Sequence, residues 1–135
     1  MVRETIGAWG IGRDAFVMYD GSGLSRYDYV TTEAIVTLLT HVWKDERLRG
    51  PFLAALPVGG HDGTLESRMK NNALTRRVQA KTGTIANMRA LSGFLETTAG
   101  DKLVFSIIAN HYTGATGEID AVAERALERL LRWPQ

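Results

Sequence analysis

The sequence predicts an α+β fold, an antiparallel sheet packed by helices. Two observations carry this expectation. The C-terminal half reads strand, strand, strand, helix: Val78–Thr84, Ala90–Thr97 and Leu103–Ala109 carry strand patterning, and Glu118–Arg132 carries a helical one. The N-terminal half adds a helix over Thr32–Lys44, where Ile35, Leu38, Leu39 and Val42 fall on one face. At 135 residues the chain suffices for one modest domain with a real core.

The elements follow in order. Met1–Trp9 is short and partly apolar, and Gly10 and Gly12 suit the end of a helix that begins before the chain does. Such a remnant is the first indication of a piece of a larger domain. Phe16–Tyr19 reads as a short strand. Asp20-Gly21-Ser22-Gly23-Leu24-Ser25-Arg26 is a glycine-punctuated turn, in which Asp and Ser side chains bond their own backbone. A phosphate cradle is the other use of such a loop, but no Gly-Lys-Ser/Thr ending follows. Thr31 is an N-cap for the helix over Thr32–Lys44. Pro51 suits the first turn of a short helix through Leu56, which Pro57-Val58-Gly59-Gly60 breaks. His61-Asp62-Gly63-Thr64 is a turn and a helix start. Gly100 and Asp101 turn the chain between the last two strands. In the closing helix Ile119, Val122, Ala123, Ala126, Leu127 and Leu130 form the apolar face. Glu118 and Asp120 lie near its start, and Arg125, Arg129 and Arg132 follow, as the helix dipole favours.

Composition excludes several function classes. A net charge of +1 implies no nucleic acid or other polyanion as partner. No apolar run approaches the roughly 20 residues that cross a bilayer. Arg3 and Glu4 follow Met1 closely and no apolar h-region appears, so no signal peptide is read here. The absence of cysteine excludes disulfides and thiolate zinc sites. His41, His61 and His111 show no paired ligand spacing, so neither metal nor other cofactor is expected, although His61 beside Asp62 has the makings of half a metal site or a base.

The chemistry concentrates in Val78-Gln79-Ala80-Lys81-Thr82-Gly83-Thr84. Val78 and Ala80 alternate with polar residues, as in a half-buried strand. The ammonium of Lys81 and the hydroxyls of Thr82 and Thr84 offer donors to a carboxylate, an acceptor-only group. Gly83 lets another backbone approach. An edge strand pairs with an extended peptide through main-chain hydrogen bonds. The stretch therefore suits the free carboxyl end of a peptide.

Lys81-Thr82-Gly83 is also one of three signatures of the serine penicillin-binding proteins and β-lactamases, with Ser-x-x-Lys and Ser-Asp-Asn. The resemblance extends along Asp20-Gly21-Ser22-Gly23-Leu24-Ser25-Arg26, Leu56-Pro57, Gly60-His61-Asp62-Gly63-Thr64-Leu65 with Arg68, Ala80-Lys81-Thr82-Gly83-Thr84, and Leu91-Ser92-Gly93-Phe94. On these segments the chain resembles the C-terminal part of the D-alanyl-D-alanine carboxypeptidases called class C low-molecular-mass penicillin-binding proteins. Asp28 departs from the pattern, since the family usually places Asn there.

The resemblance implies the C-terminal portion of a β-lactamase/transpeptidase-like fold, as a single partial domain over residues 1–135. It implies that Lys81 supplies positive charge beside the nucleophile's proton relay. Thr82 and Thr84 would hold the terminal carboxylate of a peptidoglycan stem peptide, or that of a β-lactam, and the Thr84 N–H would be one oxyanion donor. Arg26 and residues 85–87 would line a pocket for the stem peptide's third residue. The substrate implies a periplasmic or extracellular place for the full-length protein.

The family's serine nucleophile and its lysine come from a Ser-x-x-Lys helix upstream of all these segments, and nothing here occupies that position. One local match, Ser67-Arg68-Met69-Lys70, precedes the Lys81 strand, where the family has no catalytic residue. No Ser-x-Asn is present. The chain alone is therefore expected to be inactive, and Leu103–Ala109 to keep an unpaired edge open to self-association or to the rest of the domain. The alternative is a non-catalytic relative that binds a peptide C-terminus or a protein partner.

Overall fold

The computed structural model describes residues 2–133. α1 (Val2–Ala8) ends where Gly10 takes φ +89°, the left-handed conformation that glycine adopts without cost. β1 (Phe16–Val17) pairs antiparallel with β2 (Tyr29–Val30), so the first strand is shorter than Phe16–Tyr19. Met18 and Tyr19 lie exposed at the start of the loop instead. Ile11, Phe16 and Ala34 form a small buried cluster with Ile6, Ala15 and Leu38 packed against it.

α2 (Thr32–Lys44) has the expected limits. The Thr31 hydroxyl accepts from the Ala34 amide at 3.1 Å, serving one of the N–H groups that the first turn leaves unpaired. Leu39 and Val42 are buried, and Ile35 and Leu38 half-buried. α3 corrects the expectation for Pro51–Leu56. It spans Glu46–Ala54, with Pro51 in its interior. Asp45 sets the start, because its carboxylate accepts from the Arg47 amide at 2.9 Å. Arg47, whose carbonyl loses a helical partner to the proline ring, is exposed to water.

β3 (Val78–Ile85), β4 (Met88–Glu96) and β5 (Lys102–Asn110) form an antiparallel sheet with β4 in the middle. Val78, Ala80, Leu91, Leu95 and Phe105 pack into the main core with Leu65, Met69 and Leu74, and with Leu127 and Leu131 of the last helix, α4 (Thr116–Leu130), and its following turn. α2 covers the other face, with the Trp43 and Phe94 rings 5.4 Å apart. α4 buries a narrower stripe than the pattern suggested. Ala123 and Leu127 are inside, but Val122 and Leu130 are exposed.

Gly93 sets how closely the first two strands of this sheet pair. A Cβ built there falls 2.2 Å from the Gln79 carbonyl oxygen and 2.6 Å from the Ala80 Cα, so only glycine fits. At Gly83 the nearest atom to such a Cβ is the Ala90 Cβ at 3.4 Å, an ordinary contact. Gly93→Ala should therefore cost about 1–3 kcal/mol of overpacking in urea unfolding. Gly83→Ala should change stability by less than about 1 kcal/mol in the same measurement.

Candidate active site

Hydrogen bonds outside the sheet define the open edge of β3. The Ala80 amide donates to Pro57 O at 3.1 Å, and the Gly59 amide donates to Val78 O at 2.9 Å. Val78 and Ala80 therefore turn their backbone groups away from β4. Antiparallel ladders alternate, so the amides and carbonyls of Thr82 and Thr84 face the same way. The covering segment ends at Ala80, and beyond it the edge has no backbone partner among the described residues.

The motif side chains straddle this edge. Thr82 and Thr84 share the α4 side of the strand with Val78 and Ala80, whereas Lys81 and Gly83 share the α2 side. Lys81 is exposed, and its Nζ reaches round to donate to Thr82 O at 2.5 Å. Among the described residues no carboxylate lies within ion-pair distance of it, so its charge is uncompensated. Beside it in register, Ser92 and Ser106 share a hydrogen bond of 2.9 Å between their hydroxyls. Thr82 Oγ1 donates to Thr64 Oγ1 at 3.0 Å, joining the His61-Asp62-Gly63-Thr64 turn to the strand.

That turn is a single 3-10 turn, Gly63–Leu65, rather than the start of a longer helix. It is held by Asp62, whose Oδ1 accepts from the Val58 amide at 2.7 Å while Oδ2 lies 3.2 Å from His61 Nδ1. The Val58 N–H first, and then His61, draw the Asp62 carboxyl below the ordinary aspartate range. His41 stacks on Trp9 with ring centroids 4.2 Å apart. No cluster of metal-ligating side chains occurs among the described residues.

Thr84 has a partner that its own segment does not reveal. Arg89 is its cross-strand neighbour and donates to Thr84 Oγ1 through NH1. Arg89 in turn holds Asp120 of α4 through Nε at 2.8 Å and NH2 at 2.7 Å. Behind Asp120 lies Arg68, whose Nε binds Glu124 at 3.0 Å. Its NH1 is 3.1 Å from Asp120 Oδ1, within ion-pair distance but not aligned for a hydrogen bond. Thr64 and Arg89 are the residues that sequence reasoning did not assign to the site. The two-residue turn Ala86-Asn87 gives the register that pairs Arg89 with Thr84, whereas no local signal marks Thr64.

Residues 1–130 match the D-Ala-D-Ala carboxypeptidase 3 (S13) family. The chain belongs to that family. It is 37% identical over 134 residues to a D-alanyl-D-alanine carboxypeptidase of an Actinomadura species, covering 94% of this chain and 24% of that protein. It superposes on penicillin binding protein 4 (dacB) of Haemophilus influenzae with a TM-score of 0.86 at 26% identity, covering 98% of this chain and 31% of that one. The same protein complexed with a novel β-lactam gives a TM-score of 0.85 at 26% identity, over 98% and 32% of the two chains. The chain thus spans about a quarter to a third of the length of these relatives.

Family membership and the α+β architecture agree with the expectation from the sequence. The structure also places the Ser67–Lys70 segment and Arg26. Ser67 and Lys70 do not share a helix face: the segment is a series of turns and bends in which Met69 takes φ +59°. Met69 is buried there and Arg68 is drawn inward to Glu124, which leaves Ser67 and Lys70 separately exposed. Arg26 lies exposed in the loop between β1 and β2, and no hydrogen bond, ion pair or ring contact joins it to β3 among the described residues. The loop bonds itself as expected, since Asp20 Oδ1 accepts from the Ser22 amide at 2.9 Å and from Ser22 Oγ at 2.8 Å. Asp28 accepts from the Tyr19 amide at 2.6 Å, a bond that an asparagine oxygen would make equally well.

A depressed carboxyl pKa stabilises the fold above its unfolded value, and that stability is lost as pH falls through the folded value. The Val58 amide resonance should therefore titrate with a midpoint below 3.8, the ordinary aspartate value. Asp62→Asn should abolish that titration.

Proposed function

We propose that this chain carries the substrate-carboxylate and oxyanion strand of a serine-type D-Ala-D-Ala carboxypeptidase that acts on peptidoglycan stem peptides. The observation that carries the reading is the unpaired edge beyond Ala80, where Lys81 brings an uncompensated cation to the Thr82 carbonyl. An extended peptide added here gains main-chain bonds from Thr82 and Thr84. Its terminal carboxylate finds Lys81 and the Thr84 hydroxyl within one short segment, while Thr82, expected to share in holding it, has its hydroxyl turned to Thr64. The Thr84 N–H points outward, as an oxyanion donor must.

A serine hydroxyl attacks only when a neighbouring base removes its proton. With Ser67 and Lys70 apart, no Ser-x-x-Lys pair on a helix is available among the described residues, so the nucleophile and its lysine come from polypeptide outside residues 1–135. Those residues are one part of a single catalytic domain. Arg26 and residues 85–87 would meet the stem peptide's third residue once that polypeptide is in place. β-Lactams, which carry a carboxylate beside a reactive carbonyl, would occupy the same edge. The substrate puts the complete protein outside the cytoplasmic membrane.

The lack of a nucleophile pair also favours a second reading, a non-catalytic relative that binds a peptide C-terminus or a protein partner. Labelled penicillin tests the lead reading directly. The chain alone should form no covalent adduct, while the longer polypeptide that contains it should be acylated at a serine outside residues 1–135. An adduct at Ser67 would overturn the division of the site. A longer polypeptide that stays unlabelled would favour the binding module.

Among the described residues β5 has β4 on one side and no strand on the other. Its residues Leu103, Val104, Phe105, Ile107 and Ile108 give that edge an apolar, β-branched character. We expect the isolated chain to self-associate through it. Light scattering coupled to sizing should show a mass that rises with concentration, and a monodisperse monomer at high concentration would exclude the idea.

A further inference from the structure

The arrangement around Thr84 assigns a role to a residue outside the Lys-Thr-Gly motif. A guanidinium offers donors and no acceptor. When Arg89 NH1 meets Thr84 Oγ1, the threonine oxygen must accept. Its own proton is then left to donate elsewhere. Thr82 differs, because its hydroxyl proton is placed on Thr64 Oγ1 at 3.0 Å. Of the two hydroxyls that flank Gly83, only that of Thr84 keeps a proton to offer at the open edge.

Arg89 is well fixed for this task. Its Nε and NH2 form a fork on the two oxygens of Asp120, at 2.8 and 2.7 Å, the geometry in which a guanidinium and a carboxylate match. Asp120 is braced from behind by Arg68, whose side chain is only 10% exposed and whose Nε is tied to Glu124. Two cations and two carboxylates alternate, so the group as a whole is neutral. Arg89 therefore adds little net charge to the site. It acts through the bond it donates, since a hydroxyl that accepts from a cationic donor is itself a better donor.

We propose that Arg89 is a positioning residue for substrate: held by Asp120, it commits Thr84 Oγ1 to donate to the terminal carboxylate of the peptide. This rests on the reading of β3 as a peptide-carboxylate site and extends it to selectivity. A carboxylate accepts from the Thr84 hydroxyl, whereas the –NH2 of an amidated terminus presents a donor to a donor. The site thereby prefers free C-termini over amidated ones. An arginine that only tied β4 to α4 would leave that preference unchanged.

The test uses the 15N-labelled full chain, titrated with N-acetyl-D-alanyl-D-alanine and separately with its C-terminal amide. In the unaltered chain the acid should shift the Thr84 amide and Arg89 Nε–H resonances at concentrations about tenfold below those the amide needs, the scale of one charge-assisted hydrogen bond. Arg89→Gln leaves Asp120 with Arg68 as partner and should bring the two ligands level. Thr84→Val changes an exposed side chain and should do the same. If Arg89→Gln keeps a dispersed spectrum and still prefers the acid, the role of Arg89 is overturned while the reading of β3 stands. Should Arg89→Gln fail to fold, Thr84→Val decides, and a preference that survives it overturns the proposal. If neither ligand shifts any β3 resonance in the unaltered chain, the reading of β3 and the role of Arg89 fall together.

Discussion

The segment Pro57–Gly59 pairs with β3 only as far as Ala80, and the site depends on that limit. Up to Ala80 the strand is covered and its side chains are core. Beyond it, among the described residues, the same strand has amides and carbonyls without backbone partners, and the Thr82 carbonyl is met only by the Lys81 side chain. An unpaired edge is usually a liability. Here the residues on it are Lys81, Thr82, Gly83 and Thr84, which bring a cation, a hydroxyl on Thr84 whose proton is free, and an open approach. The open hydrogen-bonding groups of the backbone and the polar side chains of the motif thus fall on one stretch of chain.

Two devices keep that stretch in place. Gly93 lets β4 approach β3 so closely that no side chain fits between them. Around the strand, Thr82 is tied to the Gly63–Leu65 turn and Thr84 to α4 by way of Arg89. The side chains offered to a ligand are therefore held by neighbours that are themselves held. Groups fixed in advance lose less entropy when a ligand binds.

Much of this was legible in the sequence, for local reasons. Alternation in Val78–Thr84, the turn at Gly100-Asp101, the Thr31 cap and the Lys-Thr-Gly motif each lie within a few residues of what they specify. What was missed has two causes. α3 starts just after Asp45 because an aspartate cap outweighs a proline that also fits a first turn, and from sequence both starts look acceptable. The helix expected to start at His61–Thr64 stops after one turn, where Met69 is buried with φ +59° and Arg68 is drawn inward to Glu124. The chain Thr84–Arg89–Asp120–Arg68–Glu124 joins residues up to 56 positions apart. A contact at that separation leaves no local pattern, and only the register of β3 and β4 brings Arg89 within reach of inference.

The two ends of α4 are fastened to the same sheet at different places. Near its start Asp120 holds Arg89. Just past its end the Leu131 carbonyl accepts from the Thr98 amide at 2.8 Å and from the Thr98 hydroxyl at 3.0 Å, in the turn between β4 and β5. Ten residues of helix lie between these anchors, which are about 16 Å apart. A rod pinned at both ends moves as one piece. The β4–β5 turn and the Thr84 end of β3 lie far apart along the sheet, and this strut joins them through Asp120 and Arg89 at one end and Leu131 at the other.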